Sequence, residues 1–186
     1  MSKNMESKKN QNKFLSVSSQ KVLDFLARNS EKRYTEKQIA EGAGVKKSAV
    51  NLSLRELERR NFAEKEKVGR TSIYKVNGSS AIIKEIKILQ NIFTIFLLIE
   101  KLEKISQKII LFGSCSSGEN TSESDIDLFI LANNPYSIRQ IINSSPLRDR
   151  IQAIIKTPKE MLLINKKKPL LFQEIEKGKV LYENYE

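Results

Sequence analysis

The feature that most constrains this chain is the stretch Ile109–Ala132, which reads IILFGSCSSGENTSESDIDLFILA. Ile109–Phe112 has the length and composition of a buried strand. Gly113-Ser114 follows at once, and a polar, glycine-containing loop runs on to Ser124. A second strand is expected to begin at Asp125, reading Asp-Ile-Asp-Leu-Phe-Ile-Leu. Successive strand side chains point to opposite faces, so Asp125 and Asp127 are expected on one face and Ile126 and Leu128 on the other. Two carboxylates side by side at a buried strand are costly unless a positive group lies between them. A divalent cation held through oxygen answers that cost, and Mg2+ is the expected ion where phosphates are also held. Gly113 lets backbone approach a ligand closely, and the N–H groups and hydroxyl of Gly113-Ser114 can hold a phosphate.

The order strand, Gly113-Ser114, Gly118, then Ser124-Asp125-Ile126-Asp127-Leu128 resembles the signature of the DNA polymerase β-like nucleotidyltransferase superfamily, in its minimal branch. The resemblance implies a reaction in which a nucleoside monophosphate passes from an NTP to an acceptor hydroxyl. It implies Asp125 and Asp127 as catalytic metal ligands, and Gly113, Ser114 and Ser124 as nucleotide-binding residues. It also implies a third carboxylate on a following strand. That position falls at or near Gln152, which is no acid, and Asp149 close by is expected on the opposite face. A base for the acceptor hydroxyl is then missing, which leaves catalysis open.

The chain is basic, and unevenly so. Residues 1–80 hold 18 Lys/Arg against 9 Asp/Glu, a net of +9 out of +11. A basic first half points to a polyanion partner, although a lysine-rich surface gives the same balance. The absence of His and the single Cys115 exclude an internal disulfide, a zinc site and His-dependent nucleophilic mechanisms. One cysteine suits a reducing compartment, and a cytoplasmic location is expected. The Lys- and Asn-rich N-terminus does not read as a signal peptide. The most apolar run, Ile92–Ile99, is too short to span a bilayer, so no membrane partner is expected.

Residues 1–16 read as a disordered tail, 17–78 as one domain and 79–186 as a second. In the first domain, Gln20–Asn29 is an amphipathic helix and Glu36–Glu41 a short one with Thr35 as its N-cap. A glycine turn, Gly42–Val45, leads to a third helix from about Ser48 to Arg60, with Val50, Leu54 and Leu57 on its core face. Phe62–Lys67 and Ser72–Val76 then read as a hairpin with a basic tip at Arg70. This pattern resembles a winged helix-turn-helix. The resemblance implies DNA binding through Lys46, Lys47, Ser48, Asn51, Arg55 and Arg59 on the third helix, with Arg70 on the wing. Such domains commonly act as dimers on two half-sites, so a homodimer is expected.

In the second domain, Ala81–Gln107 reads as two helices or one bent helix, buried around Phe93–Ile99 either as core or as a dimer seam. Pro135–Ser144 is a helix, Arg150–Lys156 a strand, and Thr157-Pro158 a capped helix start. Leu170–Lys177 is a further helix and Val180–Tyr182 an edge strand. The lysine run 166–168 is either a solvated surface or a phosphate contact. The fold class expected is α+β: a winged helix-turn-helix followed by an α/β nucleotidyltransferase-like domain with a small mixed sheet. Two functions compete. One is an Mg2+-dependent nucleotidyltransferase with a DNA-binding module. The other is a transcriptional regulator whose transferase domain senses nucleotide or dimerises. An antitoxin-like module with a toxin or RNA partner is the third possibility.

Overall fold

The computed structural model describes residues 15–161 and 169–184. Most of the expected N-terminal tail and the whole 166–168 lysine run lie outside those residues. The chain divides into two compact units, Met1–Ser80 and Ala81–Glu186.

The first unit runs α1 (Val17–Arg28), β1 (Tyr34–Thr35), α2 (Glu36–Ala43), α3 (Lys47–Arg59), β2 (Ala63–Val68) and β3 (Thr71–Val76). That order is a winged helix. α1 starts three residues before the expected Gln20 because the Ser16 hydroxyl accepts from the Ser19 amide. Leu15 is buried, so residues 15 and 16 belong to the folded unit and not to a tail. Thr35 and Gln38 close a reciprocal capping box on α2. The three helices bury Val22, Leu23, Leu26, Ile39, Val50, Leu54 and Leu57 against one another. The sequence reading missed β1, which is two residues long and pairs with Tyr74 and Ile73 of β3. A strand this short has no periodicity of its own. It completes a three-stranded sheet in the order β1-β3-β2.

The second unit opens on α4 (Ala81–Leu102), one unbroken helix, followed by a 3₁₀ turn at Glu103–Ile105. Then come β4 (Lys108–Phe112), the short α5 (Gly113–Ser117), β5 (Ile126–Leu131) and α6 (Pro135–Asn143). A 3₁₀ turn at Arg148–Arg150 leads to β6 (Ile151–Lys156), and α7 (Pro169–Glu176) leads to β7 (Lys179–Glu183). Thr157 and Glu160 exchange capping hydrogen bonds at the start of helical residues 158–161. The strands form one mixed sheet in the order β6-β5-β4-β7, with β5 and β6 parallel and the other pairs antiparallel.

Both faces of this sheet are covered, which is why its central strands read as unbroken apolar runs. One face carries Ile109, Leu111, Leu128, Ile130 and Ile155 against Ile95, Leu98 and Leu102 of α4 and Ile138 of α6. The other carries Ile110, Phe112 and Phe129 against Ile175 of α7. The expected burial of Phe93–Ile99 holds for Ile95, Leu98 and Ile99 only; Phe93, Phe96 and Leu97 are exposed.

Gly118 gives a direct test of how tightly α4 holds the loop after β4. Its φ is 70°, and an added Cβ would lie 2.3 Å from the Lys84 carbonyl oxygen. Gly69 in the wing has φ 61° with open space around it. Gly118→Ala is expected to destabilise the second unit by about 2–4 kcal/mol, and Gly69→Ala the first by about 1 kcal/mol. Denaturant unfolding of the two variants measures both.

Candidate functional site

The expected polar loop after β4 begins instead as a helical turn, Gly113–Ser117. Gly113 leaves the strand with φ 66°, a left-handed conformation that side chains disfavour. A Cβ there would sit 2.3 Å from Asp127 Oδ2, so the Asp127 carboxylate packs directly against the Gly113 backbone. The two residues meet because Phe112 pairs with Asp127 across the antiparallel β4–β5 ladder. The Ser116 hydroxyl donates to the Gly113 carbonyl at 2.8 Å, and the Ser117 hydroxyl to the Ser114 carbonyl at 3.2 Å. Ser114 itself is half-buried at the turn.

The turn is anchored from α4. Lys87, buried in that helix, donates to the Asn120 carbonyl. Asn91 donates to the Cys115 carbonyl at 2.9 Å and exchanges side-chain hydrogen bonds with Asn120. Lys87 and Asn91, four apart and so on one side of a largely apolar helix, were the available signal.

β5 starts at Ile126, so Asp125 stands just before the strand and not within it. Asp125 is exposed and Asp127 half-buried. Burial pushes the Asp127 carboxyl above the usual carboxylate range, and the negative charges of Asp125 and of Glu174 on α7 push it further. Sequence reasoning missed Glu174, because nothing in the local pattern says that α7 packs on the Asp127 face of the sheet. Gln152 lies in register beside Asp127 on the parallel strand β6, and it is exposed. Asp149 is not on that strand at all. It sits in the preceding 3₁₀ turn, 86% exposed, with its carboxylate 3.6 Å from Arg148. Among the described residues no group of three His, Cys, Asp or Glu side chains could hold a metal ion. Asp125 and Asp127 alone still suit a hard cation, since magnesium commonly takes one or two carboxylates and completes its shell with phosphate and water oxygens. The negative charges of Asp125 and Glu174 near Asp127 are ones that such an ion would offset.

Ser124 has a second role in this geometry. Its hydroxyl accepts from the Thr121 amide at 2.9 Å and closes the turn before Asp125, while its carbonyl accepts from Arg150 at 3.2 Å. Cys115 is fully buried and its thiol lies 3.2 Å from the Asp125 carbonyl. Burial raises its pKa, so it behaves as core and not as a nucleophile.

Next to Gly113 an open cavity of about 520 Å³ is lined by Gly113, Ser116, Lys84, Lys177, Lys179 and Glu174, among others. Lys84 pairs with Glu119 at 2.6 Å, and Lys179 lies 3.8 Å from Glu85. Neither aspartate lines this cavity; Gly113, against which Asp127 packs, is the residue the two share. The cavity's hydroxyls and ammonium groups are of the kind that hold phosphate.

On the winged helix, Lys46, Lys47, Ser48, Arg55, Arg59 and Arg70 are all exposed. Asn51 departs from the expectation. It is half-buried, and its amide donates to Glu36 Oε1 at 3.2 Å, an oxygen that also accepts from the Tyr74 hydroxyl at 3.1 Å. It therefore ties α3 to α2 and to the sheet. No helix among the described residues is long and apolar enough to cross a membrane.

Comparison with solved structures finds weak likenesses. Reduced HlyU from Vibrio cholerae is 19% identical, with 42% of this chain and 78% of that chain covered and a TM-score of 0.36. AdcR from Streptococcus pyogenes is 19% identical, with 55% and 77% covered and a TM-score of 0.38. The S. aureus MepR–DNA complex is 20% identical, with 55% and 86% covered and a TM-score of 0.39. Scores this low carry no argument, and the winged helix stands on its element order alone. No curated protein matches the chain. The family described as "Polymerase beta, Nucleotidyltransferase" matches residues 94–186, which is half of the chain and includes Gly113-Ser114 and both aspartates. The chain belongs to the polymerase beta nucleotidyltransferase family, with a winged helix on its N-terminal side.

Proposed function

We propose that this chain binds DNA through its winged helix and moves a nucleoside monophosphate from an NTP to an acceptor hydroxyl through its second unit. The observation that carries the second half is the Asp127 carboxylate packed on Gly113, with Asp125 beside it. Asp125 and Asp127 would hold Mg2+, which when bound screens the phosphate charge and favours departure of pyrophosphate. The Gly113 backbone, left open by the missing side chain, would let the triphosphate approach, and the Ser114 hydroxyl would donate to it. Ser124 would act through the turn it closes, by fixing where Asp125 projects.

Gln152 favours a second reading. It is the residue in register with Asp127, and an amide cannot take a proton from the acceptor hydroxyl. On that reading the unit binds nucleotide without turnover and the protein is a nucleotide-responsive regulator. Calorimetry with Mg2+ and each NTP separates these readings when paired with a label-transfer assay on cell extract. The double variant Asp125→Asn, Asp127→Asn is expected to weaken Mg2+-dependent NTP binding at least tenfold. Label transfer lost in that variant supports transferase chemistry. Binding without transfer supports sensing, and no Mg2+-dependent NTP binding at all rejects both.

For the winged helix, affinity for duplex DNA is expected to fall steeply with salt. Replacing Lys47 or Arg70 by Ala should reduce the slope of log affinity against log salt by about 1 each, as loss of one phosphate contact does. Asn51→Ala should instead lower thermal stability, because Asn51 serves the α2–α3 contact. A salt-independent affinity would reject the DNA assignment.

A further inference from the structure

The face of α4 turned away from the sheet is apolar where a solvent face is normally charged. Ile82, Leu89, Phe93, Phe96 and Leu97 are 53%, 53%, 67%, 49% and 71% exposed. Their spacing of seven, four, three and one places them along one stripe of the helix. The opposite stripe of the same helix, Ile83, Ile88, Ile95, Leu98 and Leu102, is buried. From Ile82 to Leu97 the exposed positions include a single charged side chain, Glu85. In a chain with 30% charged residues and a net charge of +11, that stretch stands apart.

We infer that this stripe is a two-fold interface joining two copies of this chain. The area argues for it. At roughly 200 Å² for a fully exposed large apolar residue, the five side chains leave about 600 Å² open, at or above the largest patch of an ordinary monomer. A standard interface takes about 800 Å² from each partner, so the stripe and its immediate rim supply what a stable pair needs. The stripe is also straight and about 22 Å long, at 1.5 Å rise per residue. A two-fold axis near its middle, between Leu89 and Phe93, lays it on its own copy, as an isologous contact requires. Like-charged chains repel, and an uncharged seam is where two copies with a net charge of +11 meet at least cost. α4 also begins only a few residues after β3 ends at Val76, so pairing it joins two winged helices in one particle. Two half-sites on DNA call for that arrangement.

Sedimentation of the full chain at micromolar concentration tests the inference. The wild type is expected at twice the 21.3 kDa chain mass. Phe93→Glu with Leu97→Glu is expected to raise the dimer dissociation constant by at least a hundredfold while leaving the circular dichroism spectrum unchanged. Because charged variants can misfold, Phe93→Cys provides a second measurement. Under mild oxidation it should form a disulfide-linked dimer, whereas Tyr136→Cys, equally exposed on α6, should not. A wild type that is monomeric at 100 µM overturns the inference. So does a dimer that survives both glutamates in a folded variant, or equal cross-linking at positions 93 and 136. A monomer whose stripe is protected from hydrogen exchange would mean that the chain covers it internally, which also overturns the inference.

Discussion

The turn after β4 depends on one buried polar contact. Lys87 is 6% exposed in the middle of an apolar helix, and its ammonium is tolerable there only because it is hydrogen-bonded. It holds the Asn120 carbonyl, while Asn91, one helical turn on, holds Asn120's side chain and the Cys115 carbonyl. Together they fasten Cys115 and Asn120 to α4. Gly118 completes the fit by letting the loop backbone come against the Lys84 carbonyl. A site residue on an unanchored loop would wander by more than the fraction of an ångström that phosphate chemistry allows. Removing either side chain would leave buried carbonyls unpaired, a loss on the order of 1–3 kcal/mol each.

The second constraint is the sheet. Because both faces are covered, a carboxylate on β5 must either reach solvent at the strand end or remain strained. Asp127 does the first in part. It lies one residue into the strand, half-buried, on the face that α7 covers further along. The pairing of Phe112 with Asp127 brings Gly113 next to the carboxylate, and the missing side chain makes the space. Glu174 reaches the same region from α7 and adds negative charge without forming a three-acid metal cage.

The winged helix shows the same division between local and distant causes. Its helices, its cap at Thr35 and its basic hairpin tip were readable from periodicity and residue type. Asn51 was misread. On a helix wheel it belongs with Ser48 and Arg55, but Glu36 on the neighbouring helix captures it, along with Tyr74. On α4 the choice between core and seam also came from packing: the sheet covers Ile95, Leu98 and Leu102 and leaves Phe93, Phe96 and Leu97 exposed.

The sequence by itself determined the two units, their longer helices and strands and the pair Gly113 and Asp127, because these follow from local periodicity and from a motif contained in one hairpin. Tertiary structure alone decided which side chains join that pair. Lys87, Asn91 and Glu174 come from helices outside that hairpin, and their roles exist only once those helices pack. The same packing drew Asn51 inward and left Phe93 outside. Hydrophobic pattern tells a helix which residues are apolar, but only the partners it meets settle which of them are covered.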